Sequence, residues 1–256
     1  MIELRNTELE CLHGLCKGKE EVPLLSCLEG IIGRAWVDRK VEPEIALVLV
    51  ADFCYLIGRG EDNKIEKSLF EALQNCKGKI MIAEDSFWIK LLEKDFPSNL
   101  NRFTRYSMKK EWDAFNKDKL INFINSTETN FKIQKIDKSI YNKALQDEFM
   151  ADCCSYFMDY EEYYEHGIGF AILYNEEIIA AASSYCYCEG EIEVTIGTKP
   201  EYRRNGLAIG CASKLILHCL ENNIYPRWEA ANLESVALAE KLGYHFNKEF
   251  QVYRIA

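Results

Sequence analysis

The stretch that most limits how this chain can fold runs from residue 191 to residue 230. An extended segment at 191–198 turns at Lys199-Pro200-Glu201-Tyr202. The loop Arg203-Arg204-Asn205-Gly206-Leu207-Ala208 then opens a helix expected over 206–220, and a further strand follows at 224–230. Two strands joined by one helix form a crossover and must lie parallel. Upstream, strands at 168–174, 178–188 and 191–198 are separated by the short turns Asn175-Glu176-Glu177 and Glu189-Gly190, which demand antiparallel pairing. The passage therefore predicts a mixed, mostly antiparallel sheet. Pro226 has no N–H for a ladder, so the parallel pair is expected to pair poorly at that end and to leave main-chain groups open to an extended ligand. The loop itself is a cradle for phosphate, since free amides, the positive end of the helix dipole and two arginines converge there. Gly206 lets phosphate approach without a Cβ in the way, Ala208 keeps the helix start close, and Arg203 and Arg204 offer forked donors. A solvated basic turn capping a helix would spell the same letters, so the rest of the chain has to decide.

The first half alternates helical and extended stretches. Residues 7–16, 24–32, 62–76 (apolar at Ile65, Leu69, Phe70 and Leu73), 86–94 and 118–124 read as helices, with Ser86 as an N-cap. Residues 79–83 and 101–107 read as strands, and the apolar run 45–58 as one or two buried strands. That run contains Asp52 and is too short to span a bilayer. This alternation suggests a smaller α/β domain over residues 1–128, of unassigned role. The polar stretch 125–130 is the best boundary, with a second domain at 129–256. No sequence repeat is visible across it. The second half begins with a strand at 131–136. A helical region over 139–165, divisible into two helices, carries Tyr141, Phe149, Tyr156, Phe157, Tyr160, Tyr163 and Tyr164. After the crossover, Asn232 opens a last helix that Gly243 stops, and a strand at 246–254 closes the chain.

Charge narrows the partners. With 31 Lys and Arg against 41 Asp and Glu the net charge is −10, which argues against nucleic acid or an anionic membrane as main partner and favours a basic or amine-bearing one. The eleven cysteines are odd in number and form neither zinc nor disulfide-framework spacing, so they read as small core residues in a reducing cytoplasm. No apolar signal region opens the chain. His13, His166, His218 and His245 are scattered without metal spacing.

Arg203-x-x-Gly206-x-Ala208 between a strand and a helix resembles the coenzyme A signature of the GNAT N-acetyltransferase superfamily. The order of elements from about residue 131 onward resembles that superfamily too. So does the block from Trp228 to Tyr244, with Asn232, Ser235 and the Leu242-Gly243-Tyr244 end. The Tyr225-Pro226-Arg227-Trp228 run is most similar to the group that includes the zwittermicin-resistance-type acetyltransferases, in which a comparably long N-terminal half precedes the GNAT domain. The resemblance implies a C-terminal GNAT fold and acetyl-CoA as acyl donor. By the same resemblance, Ile196, Gly197 and Thr198 would run beside the pantetheine arm, Arg203 to Ala208 would surround the pyrophosphate, and Asn232 and Ser235 would lie near the pantetheine and thioester. Asn232 is equally well explained as an N-cap.

Acetyl transfer to an amine needs a base to free the nucleophile's lone pair, an acid or dipole for the departing thiolate, and a donor for the oxyanion. In the superfamily the base is often a Glu on the strand before the signature. Glu191 and Glu193 lie two apart and share one face there, opposite Ile192, Val194, Ile196 and Thr198. Glu193 is nearer the donor and is the preferred base, although its parity departs from the family pattern unless a bulge intervenes. Both carboxylates also read as solvent-facing. Many members carry a Tyr acid where this chain has Ala239, so the acid is left to Tyr244, Tyr202, water or none. Asp159, Glu161, Glu162 and Glu165 amid tyrosines would attract a cationic amine, or simply form a solvated helix face. The expected function is N-acetylation of a small-molecule primary amine, with homodimerisation open. The alternatives are a catalytically silent acyl-CoA-binding or sensing module, and a protein-interaction role for the N-terminal half.

Overall fold

The computed structural model describes residues 1–60 and 67–256. The elements in order are β1 (Ile2–Glu3), α1 (Val22–Leu28), β2 (Arg34–Val37), β3 (Ile45–Val50), β4 (Phe53–Gly58), α2 (Lys67–Gln74), β5 (Ile80–Ala83), α3 (Ser86–Asp95), β6 (Leu100–Met108), α4 (Lys117–Glu128) and β7 (Ile133–Lys135). There follow α5 (Lys138–Leu145), α6 (Tyr160–His166), β8 (Gly169–Tyr174), β9 (Glu177–Cys188), β10 (Glu191–Thr198), α7 (Leu207–Glu221), β11 (Tyr225–Arg227), β12 (Glu229–Ala230), α8 (Leu233–Leu242) and β13 (Phe246–Ile255). The chain forms two compact units, one of Met1–Arg105 with Glu249–Ala256 and one of Tyr106–Lys248, so both boundaries fall inside strands, β6 and β13.

In the first unit the apolar run 45–58 is a hairpin. β3 and β4 pair antiparallel and turn through Ala51, which takes a left-handed φ of 52°. Leu47, Cys54 and Leu56 pack on Leu69, Leu73, Trp88 and Leu92 from α2 and α3. β4 and β5 then run parallel through four consecutive pairs, from Phe53↔Ile80 to Leu56↔Ala83. The Trp88 indole donates to the Gly58 carbonyl at 2.9 Å, closing the end of β4.

In the second unit the sheet order is β11-β10-β9-β8-β7. Alternation along the strands sends side chains to two separate cores. Ile172, Ala180, Ala182, Ile192 and Val194 meet Leu120 and Ile124 of α4 and Leu207, Cys211 and Leu215 of α7. Ala171, Ile178 and Ala181 meet Tyr141 and Ala144 of α5, Met150 and Cys153, and Tyr163 of α6. The mixed, mostly antiparallel sheet flanked by helices is as the sequence predicts.

The two units repeat one topology. β2-β3-β4 is an antiparallel meander followed by α2, a strand parallel to the last one, and α3; β8-β9-β10 is followed by α7, a parallel strand, and α8. No sequence repeat announces this, because the shared part is strand order and direction rather than side chains.

Several expectations need correction. The boundary expected at 125–130 coincides with the last turn of α4 and the residues after it, inside the second unit. That turn looks like a linker because most of it faces solvent, yet Leu120, Ile124 and Thr127 form one buried stripe. Asp85, rather than Ser86, caps α3, accepting from the Phe87 amide at 2.7 Å. Of the helix expected over 7–16, the regular part is a 3-10 helix at Asn6–Leu12. The helical stretch 139–165 resolves into α5, a 3-10 turn at Ala151–Cys153, and α6. Of the helix expected over 62–76, Ile65 lies outside the described residues.

Candidate active site

The site is built where β10 loses its parallel neighbour. Three pairs join β10 to β11, namely Glu191↔Tyr225, Ile192↔Pro226 and Glu193↔Arg227. Beyond Arg227 the chain turns away, and Glu229 and Ala230 of β12 pair instead with Ser107 and Tyr106 of β6. Among the described residues, Val194 to Thr198 pair with β9 alone, so their second edge faces no strand. The strands thus part as expected, but past Pro226 rather than at it. The ladder tolerates the proline, and the split begins where β11 hands over to β12.

The open edge leads to the loop. After a 3-10 turn at Pro200–Tyr202, Arg204 (φ 65°) and Gly206 (φ 75°) take left-handed backbone conformations within three residues, which turns the chain sharply ahead of α7. Residues 203 to 206 are exposed, and a Cβ added at Gly206 would meet nothing within 4 Å. Gly206 is the N-cap of α7 and brings no side chain to its first turn, so the amides there have no intrahelical or capping partner. The cradle is already formed by internal bonds. Asn205 Nδ2 donates to the Tyr202 and Arg203 carbonyls at 3.1 and 3.2 Å, Arg203 Nε donates to the Thr198 carbonyl at 3.3 Å, and Thr127 Oγ1 of α4 donates to the Gly206 carbonyl at 3.2 Å. At the end of β10, the buried hydroxyl of Thr198 has no hydrogen-bond partner among the described residues. An uncapped helix start, an open cradle and an orphaned hydroxyl in line suit a long ligand ending in phosphate.

The start of α8 faces the same loop. Asn232 is its N-cap, accepting from the Ser235 amide at 2.9 Å. Ser235 Oγ accepts from the Trp228 indole at 3.1 Å, and Arg204 pairs with Glu234 at 3.0 Å. The cap explains one atom of Asn232; its amide nitrogen is not used by the cap.

The two carboxylates differ. Glu191 Oε1 receives Lys110 Nζ at 2.5 Å and Oε2 receives Arg227 Nε at 2.6 Å. Glu193 Oε1 instead accepts from the Glu229 amide at 2.9 Å, on the segment that carries the chain out of the ladder. A bulge does occur between Glu193 and Val194, but the extra residue is Tyr185 on β9, and β10 keeps its own alternation with Ile192 and Val194 in the core. The Glu face is the face toward the 3-10 turn at Ala151–Cys153: a Cβ at Gly197 would stand 2.8 Å from the Phe149 carbonyl and 3.0 Å from Met150 Sδ, so only glycine admits that segment onto β10.

The acid candidates separate as well. Ala239 is fully buried in α8. Tyr244 is 2% exposed, its hydroxyl donates to the Pro226 carbonyl at 2.7 Å, and burial pushes its ionisation well above the usual range. It supports β11 and has no path to a ligand. Tyr202 is half-buried and meets Tyr174 edge-on at 6.2 Å. Of the acids around α6, Asp159 caps the helix through the Glu162 amide, Glu161 pairs with exposed Lys138, and Glu162 accepts from the Met158 amide, so these are mainly a capped, solvated helix start. Sequence reasoning did not find Lys110, Arg227, Thr127 or the Phe149-Met150 segment. Only Thr127 had a signal, its place in the i, i+4, i+7 stripe of α4.

Residues 13–253 match the family model described as GNAT acetyltransferase. A protein named uncharacterized N-acetyltransferase YdfB, from Bacillus subtilis (strain 168), is 24% identical over 236 residues, 87% of this chain and 85% of the relative. The crystal structure of a GCN5-related N-acetyltransferase-like protein from Streptococcus suis 89/1591 matches with a TM-score of 0.89 at 31% identity, covering 98% of this chain and 99% of that one. A tandem GNAT protein from the clavulanic acid biosynthesis pathway is similar in fold, with a TM-score of 0.59 at 10% identity over 99% and 97% of the two chains.

Proposed function

The chain belongs to the GNAT acetyltransferase family and is an acetyltransferase, and from that premise we propose that it moves an acetyl group from acetyl-CoA to a primary amine of a small molecule. One observation carries this reading: the unpaired edge of Val194 to Thr198 runs directly into the uncapped start of α7. In this reading the main chain of Ile196, Gly197 and Thr198 bonds the pantetheine arm as a strand would. Arg203, Arg204, Asn205, Gly206, Leu207 and Ala208 surround the pyrophosphate with amides and guanidinium groups, and Asn232 and Ser235 line the far side. The bound donor supplies an acetyl thioester as the electrophile and a thiolate as leaving group.

Glu193 is the preferred base. Both oxygens of Glu191 hold cations, and Glu193 lies nearer the open edge, where one of its oxygens accepts from a backbone amide. Glu193 takes a proton from the acceptor ammonium, and the freed amine then attacks the acyl carbon. The net charge of −10 suits a cationic acceptor, and buried free thiols suit a reducing compartment such as the cytoplasm. Titration calorimetry with acetyl-CoA should give saturable heat; none at high micromolar ligand would sink the reading. Glu193→Gln should lower kcat by about a hundredfold and flatten the acid limb of the pH profile while donor affinity holds.

A catalytically silent acyl-CoA sensor is the second reading, favoured by burial of Ala239 and Tyr244, which leaves no tyrosine acid from the α8 block. Donor binding without turnover across polyamines, amino acids and aminoglycosides would decide for it.

A further inference from the structure

The strand pair at the root of the cleft is short. β10 and β11 share three register pairs; the Tyr225 amide donates to the Gly190 carbonyl at 2.8 Å, while Pro226 turns to the other side, where its carbonyl accepts from the Tyr244 hydroxyl, so the proline costs this pair no bond. The equivalent pair in the first unit, β4 with β5, has four pairs. Side chains add to the three. Glu191, with a side chain only 12% exposed, receives Arg227 Nε from the neighbouring strand and Lys110 Nζ from the segment after β6. That segment is tied to β11 independently: the Glu111 amide donates to the Tyr225 hydroxyl at 3.0 Å, and the hydroxyl donates to the Lys109 carbonyl at 3.1 Å. Trp112 meets the Tyr225 ring edge-on at 5.1 Å.

We propose that the Lys110–Glu191–Arg227 ion cluster is the device that sets the width of the donor cleft, with Glu191 a positioning residue rather than an acid–base group. Arg227 is the last residue of β11, and two residues later the Glu229 amide holds Glu193. Fixing Arg227 against Glu191 therefore fixes both where β11 leaves the ladder and where the Glu193 carboxylate points. Removing the Glu191 charge takes away the bridge that joins Lys110 to Arg227, which loosens the hold on β11. This inference rests on the reading of Val194 to Thr198 as the donor strand.

The test compares Glu191→Gln, Arg227→Gln and their double variant. Each single change should weaken acetyl-CoA affinity by calorimetry and lower kcat, each by about tenfold, and the double should be no worse than about twofold beyond the weaker single, because both remove one clamp. Arg227→Lys should recover to within about threefold of the parent in kcat. Hydrogen exchange without ligand should rise in peptides covering 191–198 and 224–230 and nowhere else. If Glu191→Gln fails to fold, Lys110→Met keeps the Glu191–Arg227 contact and should raise the same exchange to a smaller extent. Parent-like affinity and exchange in Glu191→Gln would overturn the clamp, as would multiplying effects in the double variant. Should the parent bind no acetyl-CoA, the donor reading fails and the exchange pattern alone judges the clamp. A Glu193→Gln variant with parent kcat would remove the base while leaving the clamp's affinity and exchange results standing.

Discussion

Arg204 and Gly206 occupy the same unusual backbone region for different reasons. Gly206 enters it without a Cβ penalty, whereas Arg204 bears one of about 1–2 kcal/mol to turn the chain ahead of α7. Gly206→Ala should therefore lower stability by about 1 kcal/mol, read as a small fall in melting temperature, and crowd the donor's phosphates. Arg204→Gly should leave stability unchanged or higher despite losing Glu234, because a pair exposed at 86% and 80% contributes about 0–1 kcal/mol. Phosphate affinity should fall, which calorimetry would show. The cysteines make a pH prediction. Burial pushes Cys16 up to about 11 and Cys27, Cys154 and Cys219 up to about 12, from an ordinary 9.0. Their neutral forms are favoured in the folded state, so this stability is intact below pH 9 and is lost as pH rises through about 11 to 12. Thermal melts should drop on that alkaline limb, and Ellman's reagent should find chiefly Cys11 in the native chain, the one cysteine that is not buried.

Among the elements, α4 shows how a real helix can read as a linker. Its composition over 125–128 is polar, and only its period reveals Leu120, Ile124 and Thr127 under α7. Leu120→Ala should cost about 2–5 kcal/mol, since the side chain is fully buried. Thr127→Val, which removes the hydroxyl bonded to the Gly206 carbonyl, should cost about 1 kcal/mol and loosen the loop's amide exchange. The antiparallel meander and the crossover were legible because turn length and a strand–helix–strand sequence leave few arrangements. The break between β11 and β12 was not. Pro226 pointed to a weak ladder, but the place of the split depends on β6 offering Glu229 and Ala230 a new partner.

For the whole molecule, the repeated topology raises the question of how many donors one chain binds. In the first unit β4 stays paired with β5 through Leu56, and Trp88 covers the Gly58 carbonyl, so the strand edge that is open in β10 is closed in β4. The sequence joining β4 to α2, Arg59-Gly60-Glu61-Asp62-Asn63-Lys64-Ile65-Glu66, does not spell the Arg-x-x-Gly-x-Ala pattern of Arg203 to Ala208. One acetyl-CoA per chain is the expected stoichiometry. Calorimetry should return a single site, abolished by Gly206→Val; a second site surviving that change would contradict the closed edge of β4.

Local chemistry alone determined the order of strands and helices in the second unit, the glycine-bearing loop that opens a helix at Arg203 to Ala208 and the capping role of Asn232. Each of these is set by neighbours within a few residues, where backbone conformation and amide supply decide the outcome. The tertiary structure decided the rest. Glu191 and Glu193 are the same residue type on the same face of one strand, and only the tertiary structure brings Lys110 and Arg227 from distant segments onto the first and the Glu229 amide onto the second. The duplicated topology and the true unit boundaries were likewise invisible, because pairing partners brought together over long stretches of chain leave no periodic mark in the residues themselves.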